Sequence, residues 1–184
     1  MDLSLSLKAQ PELLPMQDLA SRFLEALRQE KLRWTQEFGR FIVAFGGIEF
    51  EVDVCLQRYS DTHVYEAIKH KGFIFRANQV LRIMETSVPD KAIRRRMALA
   101  IEQAKQLAPD RNLVAHNPLR MGVVEDETGK LRFRPEIRPF RNETKFLLFP
   151  DLQRLAGRAE AISDALSDLL EADRLSRNRP AITP

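Results

Sequence analysis

Apolar residues recur at steps of three and four along most of the chain, a spacing that places them on one face of a helix. From about Gln17 to Tyr59 the run is Leu19, Phe23, Ala26 and Leu27, then Phe38, Phe41, Ile42, Phe45, Ile48, Val52, Cys55 and Tyr59. This predicts helix throughout, with a bend or break, since helices of this length are rare. Gly39 and the pair Gly46–Gly47 are the expected positions, because each mid-helix glycine costs about 1 kcal/mol against alanine. Read functionally, the glycine pair lets another helix approach closely, as at a subunit interface. Ser60–Asp61–Thr62 supplies a break and an N-cap. A second helix follows from about Thr62 to Glu85, with Ile74, Ala77, Leu81 and Met84 as its stripe, extended by Val64 and Ile68. Gly72 is expected to distort it. Ser87–Val88–Pro89–Asp90 breaks the chain again. A third helix carries Ile93, Met97, Ala100, Ile101, Ala104 and Leu107. Pro109 is expected to interrupt it, Asp110 to restart a short helix and Pro118 to end that piece.

Between Met121 and Ile137 the period falls to two. Val123–Val124 favours strand, Thr128–Gly129 a turn, and Leu131, Phe133 and Ile137 alternate, which predicts a β-hairpin. Lys145 to Phe149 is expected to add a short third strand. Pro150–Asp151 opens a last helix whose stripe runs Leu152, Leu155, Ala159, Ile162, Leu166 and Leu169 without a gap. The predicted fold is mainly α: an antiparallel helical bundle with a β-hairpin at about 121–137 inserted before the last long helix. Residues 1–15 read as a loosely ordered segment, 16–173 as one helical domain, and 174–184, rich in Arg, Asn, Ser and Pro, as a disordered tail.

Composition narrows the chemistry. At 184 residues the chain is long enough to bury a core without a metal or disulfide. Its one cysteine, Cys55, excludes an internal disulfide and a cysteine zinc cluster, and reads as a buried, inert thiol. No secretory signal is visible, and the longest apolar run, Phe41 to Ile48, is far short of the roughly 20 residues that span a bilayer. The expectation is a cytoplasmic protein with no membrane partner. The net charge of +3 is mild, but basic residues cluster. Lys91, Arg94, Arg95 and Arg96 form one group; Arg132, Arg134, Arg138 and Arg141 form another. Such groups either meet phosphates or simply solvate a face. Glycine-rich phosphate loops, nucleophile elbows and zinc-protease motifs do not occur in the sequence. His63, His70 and His116 do not fall at a ligand spacing, so no metal and no cofactor are expected; His63 and His70 read as surface residues, and Trp34 and Tyr59 as core edge.

One stretch concentrates reactive groups: Asp110-Arg111-Asn112-Leu113-Val114-Ala115-His116-Asn117-Pro118. In an ideal helix Asn112 and His116 share a face, while Arg111 points about 140° away from His116. Arg111 therefore reaches the same spot through its length, a broken helix end or a second subunit. Imidazole is the side chain that exchanges protons near neutral pH, and guanidinium is the fork that holds a phosphate. Arg111-Asn112-x-x-x-His116 resembles the signature of the HEPN superfamily: an arginine, a following polar residue and a histidine four positions after that residue.

HEPN domains are helical bundles, usually homodimers, and many are metal-independent ribonucleases of toxin or defence systems. The resemblance covers about Gln17 to Asp173. It implies catalytic roles for Arg111, Asn112 and His116. His116 would act as base on a ribose 2′-hydroxyl or as acid for the leaving oxygen, Arg111 would hold the scissile phosphate, and Asn112 would orient either. It further implies a homodimer with two Arg111/His116 pairs at the twofold axis, RNA as substrate, and a protein antitoxin or other protein as a further partner. Arg94, Arg95, Arg96, Arg120, Arg132 and Arg134 would guide the RNA backbone. Two departures stand out. Asn117-Pro118 occupies the place of a tyrosine that some HEPN toxins carry as a modification target, and the hairpin is an addition to a plain bundle. Families of this kind also include inactive members, so a non-catalytic dimerisation or partner-binding module is the alternative expectation.

Overall fold

A computed structural model describes residues 16–125, 127–129, 131–139 and 146–177. The expected loose segment 1–15, and 178–184 of the expected tail, lie outside the described residues. The chain divides into two compact units, Met1–Thr35 and Gln36–Pro184. The described elements are α1 (Met16–Tyr59), α2 (Thr62–Ile68), α3 (Phe73–Ser87), α4 (Lys91–His116), β1 (Leu119–Glu125), β2 (Leu131–Ile137) and α5 (Phe149–Arg177). The protein is mainly helical, with an antiparallel hairpin before its last long helix.

The first unit contributes the start of α1. Of the predicted stripe here, Phe23 is about half exposed, Ala26 is exposed and Leu27 is half-buried. Trp34 is buried, and its indole N–H donates to Glu30 Oε1 at 3.1 Å.

The second unit holds the candidate site. Here the stripe Phe41, Phe45, Ile48, Val52, Cys55 and Tyr59 is buried. The break expected at the glycines does not occur: α1 passes through Gly39, Gly46 and Gly47 without interruption. Gly47 serves close approach instead, but to a helix of the same chain. A Cβ there would lie 2.5 Å from Ser163 Oγ of α5, with Ser163 Cβ at an ordinary 3.6 Å. Removing that oxygen should let alanine's helix preference show. Ser163→Ala/Gly47→Ala is expected to exceed Ser163→Ala in stability by about 0.5–1 kcal/mol, whereas Gly47→Ala alone gains less. Urea unfolding of the set checks this.

The second predicted helix is divided. α2 ends at Ile68, and Gly72 is the N-cap of α3 rather than a distortion within one helix. The restart shifts the buried frame, so Phe73, Ala77, Val80 and Met84 face the core and Ile74, expected inside, is exposed. Asp61 caps α2 through Val64 N, and Asp90 caps α4 through the N–H groups of Ala92 and Ile93, as the two expected breaks require. Pro109 does not interrupt α4, which is continuous to His116. An interior proline forfeits one hydrogen bond, but Leu107, Ala108, Leu113 and Val114 are buried on either side of it and hold the helix in place. Pro118 ends the helix as expected, with the Asn117 amide donating to Leu113 O at 2.8 Å.

In the hairpin, Leu119 faces Ile137 and Glu125 faces Leu131. Gly129 takes a positive φ of 78° in the turn, a conformation costly for other residues. The third strand reduces to a single bridge, Leu147 with Ile137; Lys145 lies outside the described residues.

In α5 the stripe is buried throughout. Arg40–Glu160, Gly47–Ser163 and Tyr59–Asp173 are met in that order, so α5 runs parallel to α1. α4 runs antiparallel to α3: Arg94 near the start of α4 donates to Glu85 O and Val88 O at the end of α3, while Arg111 near the end of α4 shares a cavity with the first turn of α3. Residues 174–177, expected in the tail, continue the helix. Arg177 explains this: it donates to Asp173 Oδ2 and to Ser87 O, and its guanidinium lies 5.0 Å from the centre of the Tyr59 ring. Burial and the neighbouring Asp173 carboxylate hold the Tyr59 hydroxyl above its usual range. Burial also pushes the Cys55 thiol up to about 12, which fits an inert core residue. His63 and His70 are exposed.

Candidate functional site

The motif lies on the last turns of α4, where helix periodicity and buried Leu113 and Val114 fix which side chains turn outward. Arg111 is about one-third exposed, and Asn112 and His116 are exposed. Arg111 Nη1 donates to Asn112 Oδ1 at 3.3 Å, and Nη2 lies 3.6 Å from Glu49 Oε1 of α1. The same guanidinium sits 5.9 Å from the centre of the Phe45 ring, within cation–π range. Phe45 in turn meets Phe73 edge-on, with ring centres 5.1 Å apart. Phe45 and Glu49 from α1 thus hold Arg111 against the bundle.

Arg111 and Asn112 open onto a cavity of about 420 Å³. Its opposite wall is the approach to α3, Lys71 and Gly72, followed by the first turn, Phe73 to Arg76. Three cationic side chains, Lys71, Arg76 and Arg111, face one carboxylate, Glu49. Arg76 is only 9% exposed and pairs with Asp53 of α1, while its buried Nε has no hydrogen-bond partner. α3 has no side-chain cap; its first backbone bond is Arg76 N to Gly72 O. The N–H groups of the preceding first-turn residues have no partner within the helix.

His116 is not part of the cavity wall. It lies one turn beyond Asn112, about 6 Å further along the axis on nearly the same face. One chain therefore joins Arg111 and Asn112 directly and places His116 beside them.

Of the basic residues expected to guide RNA, Arg94, Arg95 and Arg96 lie toward the opposite end of α4 from the motif. Arg94 is engaged in holding the α3–α4 connection through two backbone carbonyls. Arg94 and Arg95 border a separate cavity with Leu81, Leu99 and Glu102. It is about 25 Å from Arg111 along α4 at 1.5 Å per residue. Arg96 is exposed on the same early turns, and Arg120 is half-buried in β1. Arg134 lies 3.5 Å from Glu136 and 5.1 Å from the centre of the Phe146 ring, so it is held locally. The Arg132 side chain lies outside the described residues.

Glu49, Lys71 and Arg76 were not among the residues singled out by the motif. The available signal was Gly72: read as a helix start, it places Lys71 and Phe73–Arg76 around an open N-terminus. Glu49 gave no comparable signal, because its place beside Arg111 depends on how α1 packs on α4. No protein-family model, curated protein or solved structure matches the chain.

Proposed function

We propose that this protein is a HEPN-like, metal-independent endoribonuclease working as a homodimer through Arg111, Asn112 and His116. The observation that carries the reading is the convergence of Arg111 and Asn112 on an open, cation-rich cavity, with exposed His116 one turn away. In this mechanism the ribose 2′-oxygen attacks phosphorus and the bond from phosphorus to the 5′-oxygen breaks. The products are a 2′,3′-cyclic phosphate and a 5′-hydroxyl. Arg111 stabilises the charge that grows on the phosphoryl oxygens. One His116 removes the 2′ proton and the other, from the second copy, protonates the leaving oxygen. A toxin or defence role, with a protein antitoxin as partner, follows from the family resemblance; a cytoplasmic location is the default for a sequence with no visible secretory signal.

A second reading has its own support. Glu49 already pairs with Arg111 at 3.6 Å, as expected in a non-catalytic dimerisation or binding module that uses the arginine structurally. RNA cleavage in EDTA separates the two. The ribonuclease reading expects wild-type activity that falls at least about 100-fold in Arg111→Ala. The module reading expects no cleavage by either protein.

A further inference from the structure

We infer that the outward face of α1 around Gly39, Val43, Gly46 and Phe50 is the surface on which a second copy of this chain docks, antiparallel and helix against helix. The inference names an interface for the homodimer proposed above, but it rests on this face and not on the motif. Gly39, Val43, Gly46 and Phe50 follow one another at steps of four, three and four, the spacing that forms a seam along one side of a helix. They lie opposite the buried stripe of Phe41, Phe45, Ile48 and Val52. Val43 is 75% exposed and Phe50 64%, and the seam from Gln36 to Phe50 carries no charge. Among the described residues nothing fills the space above its two glycines: a Cβ at Gly39 or at Gly46 meets no atom within 4 Å. Gly47, by contrast, is accounted for within the chain by Ser163 of α5.

The seam is complementary to itself, which is what a twofold contact requires. With the twofold level with the Ala44–Phe45 peptide, Val43 faces the partner's Gly46 and Phe50 faces the partner's Gly39. Each large side chain then meets a glycine, and each glycine a large side chain. Sliding by a heptad breaks the match, setting Val43 against the partner's Asp53 or Gly46 against the partner's Gln36. A groove receives the ring. It is a cavity of about 510 Å³ bordered by Gly39, Val43 and Gly47 of α1 and by Glu160, Ser163 and Asp164 of α5. An aromatic anchor seated in a pocket is the usual centre of a protein interface. The seam is about 17 Å long at 1.5 Å per residue, shorter than a standard interface, so the dimer is expected to dissociate in the micromolar range. Glu49, which holds Arg111, lies on one flank of the seam. A twofold perpendicular to the paired helices keeps that flank on one side, so both Arg111–Glu49 pairs stand on the same side of the dimer.

The experiment is sedimentation equilibrium of the full-length protein across the micromolar range, comparing wild type with Phe50→Ala and Gly46→Leu. Wild type is expected to be dimeric at the top of the range. Phe50→Ala should raise the apparent Kd by about 100-fold or more, because the ring is lost twice per dimer. Gly46→Leu makes the face more apolar and the helix stronger, yet it fills the hole that takes Val43. It should raise Kd by about tenfold or more with the fold unchanged by circular dichroism, whereas a non-specific hydrophobic association would tighten. Register is read by cysteine pairing, since Cys55 is buried. A mixture of Gly39→Cys and Phe50→Cys chains should cross-link on mild oxidation, and neither variant should cross-link with itself. A monomer throughout the range, a dimer that neither substitution weakens, or a dimer that Gly46→Leu tightens overturns the inference, and cross-linking of either cysteine variant with itself overturns the antiparallel register. A dimer held by this face in a protein that cuts no RNA supports the inference and removes the ribonuclease reading; cleavage by a dimer indifferent to both substitutions does the reverse.

Discussion

Replacing His116 by alanine is expected to lower RNA cleavage by about 10²–10⁴-fold, the usual contribution of a general acid or base. The unfolding midpoint should stay where it is, because His116 is exposed at the end of α4 and the helix stop is secured by Asn117. Rate and stability are thus predicted to separate. A structural histidine behaves in the opposite way, losing stability in proportion to the contacts it made. The dimeric arrangement adds a second readout. Because each cut is proposed to use His116 of both copies, heterodimers of wild type and His116→Ala should be nearly as inactive as the His116→Ala homodimer. Heterodimers that keep about half of the wild-type activity would place all the needed groups within one chain.

Asp173→Ala is expected to cost about 2–3 kcal/mol of stability, read as a fall of about 5–10 °C in Tm. Asp173 is fully buried and accepts from the Tyr59 hydroxyl and from Arg177, both at 2.8 Å. Its removal leaves the buried Tyr59 hydroxyl without that acceptor and releases Arg177 from α5. Arg177 also holds Ser87 O in the turn between α3 and α4, so the loss extends to three elements. Tyr59→Phe removes one of these bonds and should cost only about 1 kcal/mol. Thermal unfolding of the two variants side by side gives the comparison. Because this cluster lies far from Arg111 along the bundle, residual cleavage per folded molecule should be unchanged.

Local pattern carried most of the fold and little of the site. The α5 stripe from Leu152 to Leu169 and the caps at Asp61 and Asp90 are short-range features, legible because helix periodicity and capping act over a few residues. The errors arose where tertiary packing outweighed a local preference. Pro109 breaks an isolated helix, yet here buried residues on both sides carry the helix through it. Gly47 reads as a weak point, but its missing side chain admits Ser163 of α5. Gly72 was legible as a disturbance and not as a start, and that single difference moved Ile74 out of the core and Phe73 into it. At the site, the spacing of Arg111, Asn112 and His116 was visible along the chain. The pairing of Arg111 with Glu49, the stacking on Phe45 and the wall built by α3 were not, since each joins residues distant in sequence. One member of the charge clusters is occupied within the fold. Arg94 reads as an available cation until the carbonyls of Glu85 and Val88 are placed around it.

The most direct test of the central claim is incubation of the pure protein with mixed cellular RNA in EDTA, with the ends of the products identified. The account predicts cleavage that EDTA does not stop, fragments ending in 2′,3′-cyclic phosphate and 5′-hydroxyl, and loss of both in Arg111→Ala and His116→Ala. Intact RNA, cleavage abolished by EDTA, or 5′-phosphate ends would contradict it.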